Sequence, residues 1–198
     1  MTEKAMTSQA KQMHPTKVIK LWWKELYDPV SEIPMPGSRA TLARLRHCKR
    51  IFDVVIDPAF ADLAQKCGVK FDHNHDLNRV ALVMAVMSYV RSDIPDKKNA
   101  RIIGPTKQVS EDEASDALCK PLRFRQLLGA STVDECYRAF RQLVNLMGRA
   151  VNVDDLVNSL WNWPRFPGAE KTADKIRIEW VYNYWSTDSE NASGNKTS

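Results

Sequence analysis

The sequence predicts an all-α protein of about eight helices packed as two helical lobes. Three observations predict it. Val133, Cys136, Tyr137, Phe140, Leu143, Val144 and Met147 recur at steps of three and four, the spacing of one buried helix face. Cap residues stand at both ends of that run and of its neighbours. The segment from Leu77 to Val90 is apolar nearly all round, broken only by Asn78, Arg79 and Ser88, as suits a helix at the centre of a lobe. The expected organisation is a flexible N-terminus (1–14), an N-terminal helical lobe (15–91), a connecting loop (92–117), a C-terminal helical lobe (118–185) and a polar, disordered tail (186–198).

The first helix covers residues 15 to 27. Pro15 occupies a first-turn position, Val18, Leu21, Trp22 and Leu26 point inward, and Asp28-Pro29 closes the helix. The adjacent Trp22-Trp23 reads as core rather than as a membrane-surface anchor, because no polybasic face accompanies it. Ile33-Pro34-Met35-Pro36-Gly37 is too proline-rich to continue the helix. Ser38 then caps a basic helix with Leu42, Leu45 and Cys48 inward. Between Ser38 and Arg50 stand Arg39, Arg44, Arg46, Lys49 and Arg50, and no acidic residue. Arg44 and Arg46 are two positions apart, so they border the apolar stripe instead of sharing a row; the face they make is either solvated or a phosphate contact.

Asp57-Pro58 opens the next helix by the cap-then-proline rule, through Phe60 and Leu63 to Gly68. Asp72-His73-Asn74-His75-Asp76 is rich in metal-ligand types, but alternate residues of a pre-helical loop do not converge on one ion unaided; no metal site is expected, and Asp76 serves as a helix cap. Residues 92 to 117 form a long loop with one short helix. Its basic half (Lys97, Lys98, Arg101, Lys107) either tracks a nucleic-acid backbone or is ordinary mobile loop, and its acidic half (Glu111, Asp112, Glu113, Asp116) screens it.

The stretch from Arg123 to Trp163 organises the second lobe. Thr132 and Glu135 make a capping box for the long helix, and Gly148 stands where a left-handed cap ends it. Asn152 caps a third helix with Asp154 and Asp155 at its positive end, Val153, Leu156, Val157, Leu160 and Trp161 inward, and Trp161-Asn162-Trp163-Pro164 at its close. On the outside, Arg138 follows Asp134 by four and is expected to pair with it. Arg141, Arg123 and Arg125 have no carboxylate at helical distance, and unneutralised guanidinium forks suit phosphate oxygens. The last helix, about Ala169 to Trp185, carries two apolar stripes: Ala173, Ile176, Trp180 and Tyr184, and Ile178, Val181, Tyr182 and Trp185. Burial of both is the expectation; the alternative is that one anchors a partner subunit.

Composition narrows the function. A net charge of +5 and a pI near 9.0 are compatible with a nucleic-acid partner. Cys48, Cys67, Cys119 and Cys136 lack Cys-x-x-Cys spacing and read as reduced thiols of a cytoplasmic protein, with no role for disulfide or zinc. The polar N-terminus, Met1 to His14, has no signal-peptide core, so export is not expected, and Asn191-Ala192-Ser193 and Asn195-Lys196-Thr197, which match the glycosylation pattern, would matter only in a secreted protein. The longest apolar run, Val80 to Met87, is too short to span a bilayer. Phosphate-loop, nucleophile-elbow, dinucleotide and zinc-protease motifs are absent, and His14, His47, His73 and His75 offer few general bases, so no catalytic residue and no cofactor is expected.

The order Arg123-Phe124-Arg125-Gln126-Leu127-Leu128, then Phe140-Arg141-Gln142-Leu143-Val144, then Val151-Asn152-Val153-Asp154-Asp155-Leu156 with Trp161 and Trp163, resembles the CasB family, the small subunit of the type I-E CRISPR surveillance complex Cascade. Arg39-Ala40-x-Leu42-x-Arg44-x-Arg46 and Pro58-Ala59-Phe60 resemble the same family's early basic helix and its Pro-Ala-Phe step. Gln142 departs from it, since a second basic residue is common there. The resemblance covers roughly residues 15 to 185. It implies a noncatalytic homodimer within Cascade, touching the repeated backbone subunits and the large subunit, binding CRISPR RNA and target DNA by their backbones and stabilising the R-loop. The expected nucleic-acid contacts are Arg39, Arg44, Arg46, Lys97, Lys98, Arg123, Arg125, Arg141 and Arg149. A freestanding helical nucleic-acid binder and a protein-interaction adaptor using the aromatic faces are the alternatives.

Overall fold

Eight successive residues, Val80 to Met87, have no exposed surface, and the fold is built around the helix that carries them, α5 (Asn74–Met87). A helix apolar on every side has to be covered on every side. From the N-terminal half it is covered by α1 (Pro15–Leu26), α3 (Ile51–Val55) and α4 (Pro58–Lys66); from the C-terminal half by α8 (Val133–Leu146) and α9 (Val153–Asn162). Both halves therefore meet in one continuous apolar core. The remaining elements are α2 (Ser38–His47), β1 (Ser92–Asp93), α6 (Asn99–Ile103), α7 (Pro121–Gly129), β2 (Ala150–Val151) and α10 (Glu170–Trp185). The computed structural model describes residues 13–27, 34, 38–70, 72–107 and 116–186. The expectations for residues 1–12, Asp28-Pro29, most of the Ile33–Gly37 loop, the acids at 111–113 and the tail lie outside them.

The helix termini follow local chemistry. Asp57 accepts the Ala59 N–H ahead of Pro58, and Asn152 accepts the Asp155 N–H. At α8 the Thr132 side chain accepts from Glu135 N while the Glu135 carboxylate accepts from Thr132 N, and Gly148 beyond its end has φ +66°. The all-α expectation holds, with four differences in detail. In α1 the buried row is Ile19, Trp22, Trp23 and Leu26, while Leu21 is exposed: the helix is rotated so that both tryptophans enter the core. The short helix α3 adds to the expected elements; Asp53 starts it by accepting the Lys49 and Arg50 N–H groups. Asp76 lies within the first turn of α5 and pairs with Arg79, and the helix begins after His73. In α10 only the stripe of Ala173, Ile176, Trp180 and Tyr184 is buried, leaving Ile178 and Tyr182 at 69% and 70% exposure.

Two joints tie the distant parts together. Strands β1 and β2 pair in parallel, Ser92 with Ala150 and Asp93 with Val151, and the Arg91 N–H donates to the Arg149 carbonyl at 2.8 Å. The buried Arg177 of α10 donates to the carbonyls of Leu128 and Ala130 at 3.0 and 2.7 Å and lies over the Trp163 ring, while Trp163 Nε1 donates to the same Ala130 carbonyl. The end of α7 is thereby held against α10, which fixes how α7 lies along α8. No helix among the described residues is long and apolar enough to cross a membrane.

Candidate nucleic-acid interface

Three arginines from three separate segments act on one buried hydroxyl. Tyr27 donates to the Ser88 carbonyl, and burial raises its pKa against the opposing pull of Arg46, Arg91 and Arg149. Arg46 donates to Ser88 O at 2.8 Å and to the Tyr27 hydroxyl, and Arg149 donates to Asn145 Oδ1. Arg141 continues the group: it lies 5.4 Å from the Tyr137 ring centroid and acts on the Tyr89 and Tyr137 hydroxyls. Tyr89 and Tyr137 in turn donate to the Arg46 and Cys48 carbonyls, both at 2.8 Å. These acceptors are neutral, so the guanidinium groups of Arg46, Arg141 and Arg149 are oriented while their charge remains. Among the described residues none of the four makes an ion pair. Arg39 stands two turns before Arg46 on the same face of α2, exposed, and extends the row by about 10 Å.

Other expected contacts are placed differently. Arg44 leaves the opposite flank of α2 and pairs with the buried Asp57 at 2.8 Å, so the absence of acids within the basic helix does not hold in space. Lys98 bridges Asp155 and Glu179 at 2.9 and 3.1 Å. Lys97 lies beside it, exposed but not without partners. Arg123 and Arg125 point to opposite sides of α7. Arg123 lines an open groove against α8 with Cys119, Gln126, Leu127, Ala139, Gln142 and Leu143. Burial raises the Cys119 thiol pKa there, and Arg123 opposes it. Arg125 engages neighbours on the other flank. Among the described residues no group of three His, Cys, Asp or Glu side chains could hold a metal ion.

The sequence profile of the CRISPR-associated protein Cse2 family matches residues 41–185. The chain belongs to the Cse2 family. This is the family that the motifs from Arg123 onward resemble, the small subunit of type I-E Cascade, and it is a noncatalytic one. No curated protein and no solved structure matches the chain. The Cse2 match spans Arg46, Arg91, Arg141, Arg149 and the α7–α8 groove; Tyr27 and Arg39 precede it.

Two residues of this Cse2 chain take places that local spacing does not indicate. Arg91 joins the cluster although its only signal in the sequence is a lone cation between a buried helix and a loop, with no basic neighbour beside it. The expected pair of Arg138 with Asp134 does not form: Asp134 instead accepts the Ile51 N–H at 2.8 Å, and Arg138 makes no ion pair among the described residues. The demand of a distant helix start for an acceptor outweighs the weak local pair.

Proposed function

We propose that this chain is a Cascade subunit that holds nucleic acid by its backbone, in the cytoplasm, stabilising the paired guide RNA and target DNA of an R-loop. The observation that carries the reading is the grouping of Arg46, Arg91 and Arg149: Arg46 donates to Tyr27 and Ser88, the Arg91 N–H donates to the Arg149 carbonyl, and no carboxylate pairs with the three among the described residues. Arg141 and Arg39 lengthen this row on either side. Each arginine that meets a phosphate releases condensed counterions, so a few fixed cations give sequence-tolerant, salt-dependent binding. Guide pairing reads the sequence in such a complex, and the protein supplies charge and shape. Arg123, Arg125 and Lys97 are secondary contacts on this reading, and Arg44 and Lys98 serve the fold.

The exposed Ile178, Val181 and Tyr182 of α10 favour a second surface for protein neighbours, which we infer to be a second copy of this chain and the backbone and large subunits of the complex. The two surfaces are compatible. The test of the first is the salt dependence of strand binding. Arg91→Ala with Arg149→Ala is expected to reduce the slope of log affinity against log salt by about 0.7–0.9 for each phosphate no longer neutralised, and to shorten R-loop lifetime in the assembled complex. Arg44→Ala is expected to leave the slope unchanged. A double variant with the slope and lifetime of the parent removes the cluster from the interface.

A further inference from the structure

The groove between α7 and α8 holds chemistry that the backbone contacts do not use. Its floor is Leu127, Ala139 and Leu143; Arg123 stands at one end, and Gln126 of α7 faces Gln142 of α8 across it. Beyond the two glutamines the same walls continue into a shallower depression reaching Gly129, Glu135 and Arg138. Among the described residues the side chains of Arg123, Gln126, Arg138 and Gln142 make no hydrogen bond or ion pair. The acid lining the far end, Glu135, is committed to the Ser131 and Thr132 N–H groups at 3.0 Å each. The groove is thus apolar below, carries two free carboxamides at mid-length and a free cation toward each end.

We propose that this groove receives one unpaired nucleotide of a strand held at the tyrosine-centred cluster. This rests on the reading of the chain as a nucleic-acid binder. A carboxamide sets a donor beside an acceptor, the pattern that base edges also present, and two of them on opposing walls can address one base from both sides. The leucine floor meets the base face, and Arg123 meets the adjoining phosphate. The groove is open to solvent along its length, so a base can lie in it edge-on to both walls while its backbone stays outside. Cations at both ends, with the acid already engaged, favour a polyanion over a peptide. Placement agrees: Arg141 and Gln142 are consecutive on α8, so the cluster and the groove flank one helix whose outer face carries Arg138 between them. A strand crossing that face turns a base into the groove without leaving the arginines.

The test compares two single strands of equal length and phosphate count bound by the full chain, one bearing bases and one with abasic spacers throughout. The parent protein is expected to bind the base-bearing strand about tenfold more tightly, the gain of one good base contact. Gln126→Ala with Gln142→Ala is expected to abolish that preference while keeping the salt slope; both sites are exposed and alanine sustains a helix, so the fold is retained. Equal binding of both strands with a normal salt slope, or a preference that survives the double substitution, overturns the nucleotide site and leaves the backbone reading standing. Absence of salt-dependent binding to either strand overturns both. Loss of a neighbouring subunit from the assembled complex, with strand preference intact, assigns the groove to protein instead.

Discussion

Arg149 stands in a conformation that side chains avoid. Its φ of +69° follows Gly148 at +66°, so the turn after α8 spends two consecutive residues in the left-handed region. Glycine would adopt it freely, whereas a residue with a Cβ is disfavoured there by roughly 1–2 kcal/mol. Keeping arginine is consistent with a use for its side chain beside Tyr27. Arg149→Gly is therefore expected to stabilise the fold by about 0.5–1 kcal/mol, net of the entropy glycine adds to the unfolded chain, while weakening strand binding. Denaturant midpoints and binding isotherms of one preparation check both halves; a variant that is less stable would make the arginine structural. The fates of the arginines are only partly legible at this scale. Local spacing shows which cations lack a helical partner, but Asp57 is 13 residues from Arg44 and Glu179 is 81 from Lys98, separations that only the tertiary fold closes.

The helices themselves are more readable than their rotations. Caps announce themselves chemically, so α4, α8 and α9 begin where Asp57, Thr132 and Asn152 say. Rotation about the axis is ambiguous when apolar residues outnumber the positions to be buried, as in α1 and α10; neighbouring helices then decide which row enters the core. The packing of α6 on α10 has no periodic signal at all, because it depends on a missing side chain. A Cβ on Gly104 would lie 2.1 Å from the Tyr184 carbonyl oxygen, a backbone atom that cannot swing away. Gly104→Ala is expected to push α6 from α10 at a cost of about 1–3 kcal/mol. A fall in thermal midpoint, with hydrogen exchange quickened first at the end of α10, checks it; an unchanged midpoint would mean that this approach is not a constraint.

At the scale of the whole molecule, acid acts on several helix starts together. Backbone N–H groups of Thr132 and Ser131 hold Glu135 down to about 2, the Arg44 hydrogen bond lowers Asp57, and the Arg50 and Lys49 N–H groups lower Asp53. Each folded-state pKa lies below its unfolded value, so the stability these groups confer is present above about pH 4.3 and declines as pH falls below it, for Glu135 down to about 2. Unfolding free energy measured across that window is expected to decline, and Glu135→Gln to flatten part of the decline; a parallel curve for the variant would dismiss the capping box as its source. The convergence of Arg46, Arg91 and Arg149 belongs to this scale as well, since it arises only once residues from both halves of the chain are brought side by side. The hydrogen bond from Arg91 to Arg149 has one more effect. Main chain roots the two arginines side by side, one from each half of the chain, while their side chains stay free to adjust. Fraying of the two-residue ladder would part these cations, so their proximity is tied to the seam that joins the halves.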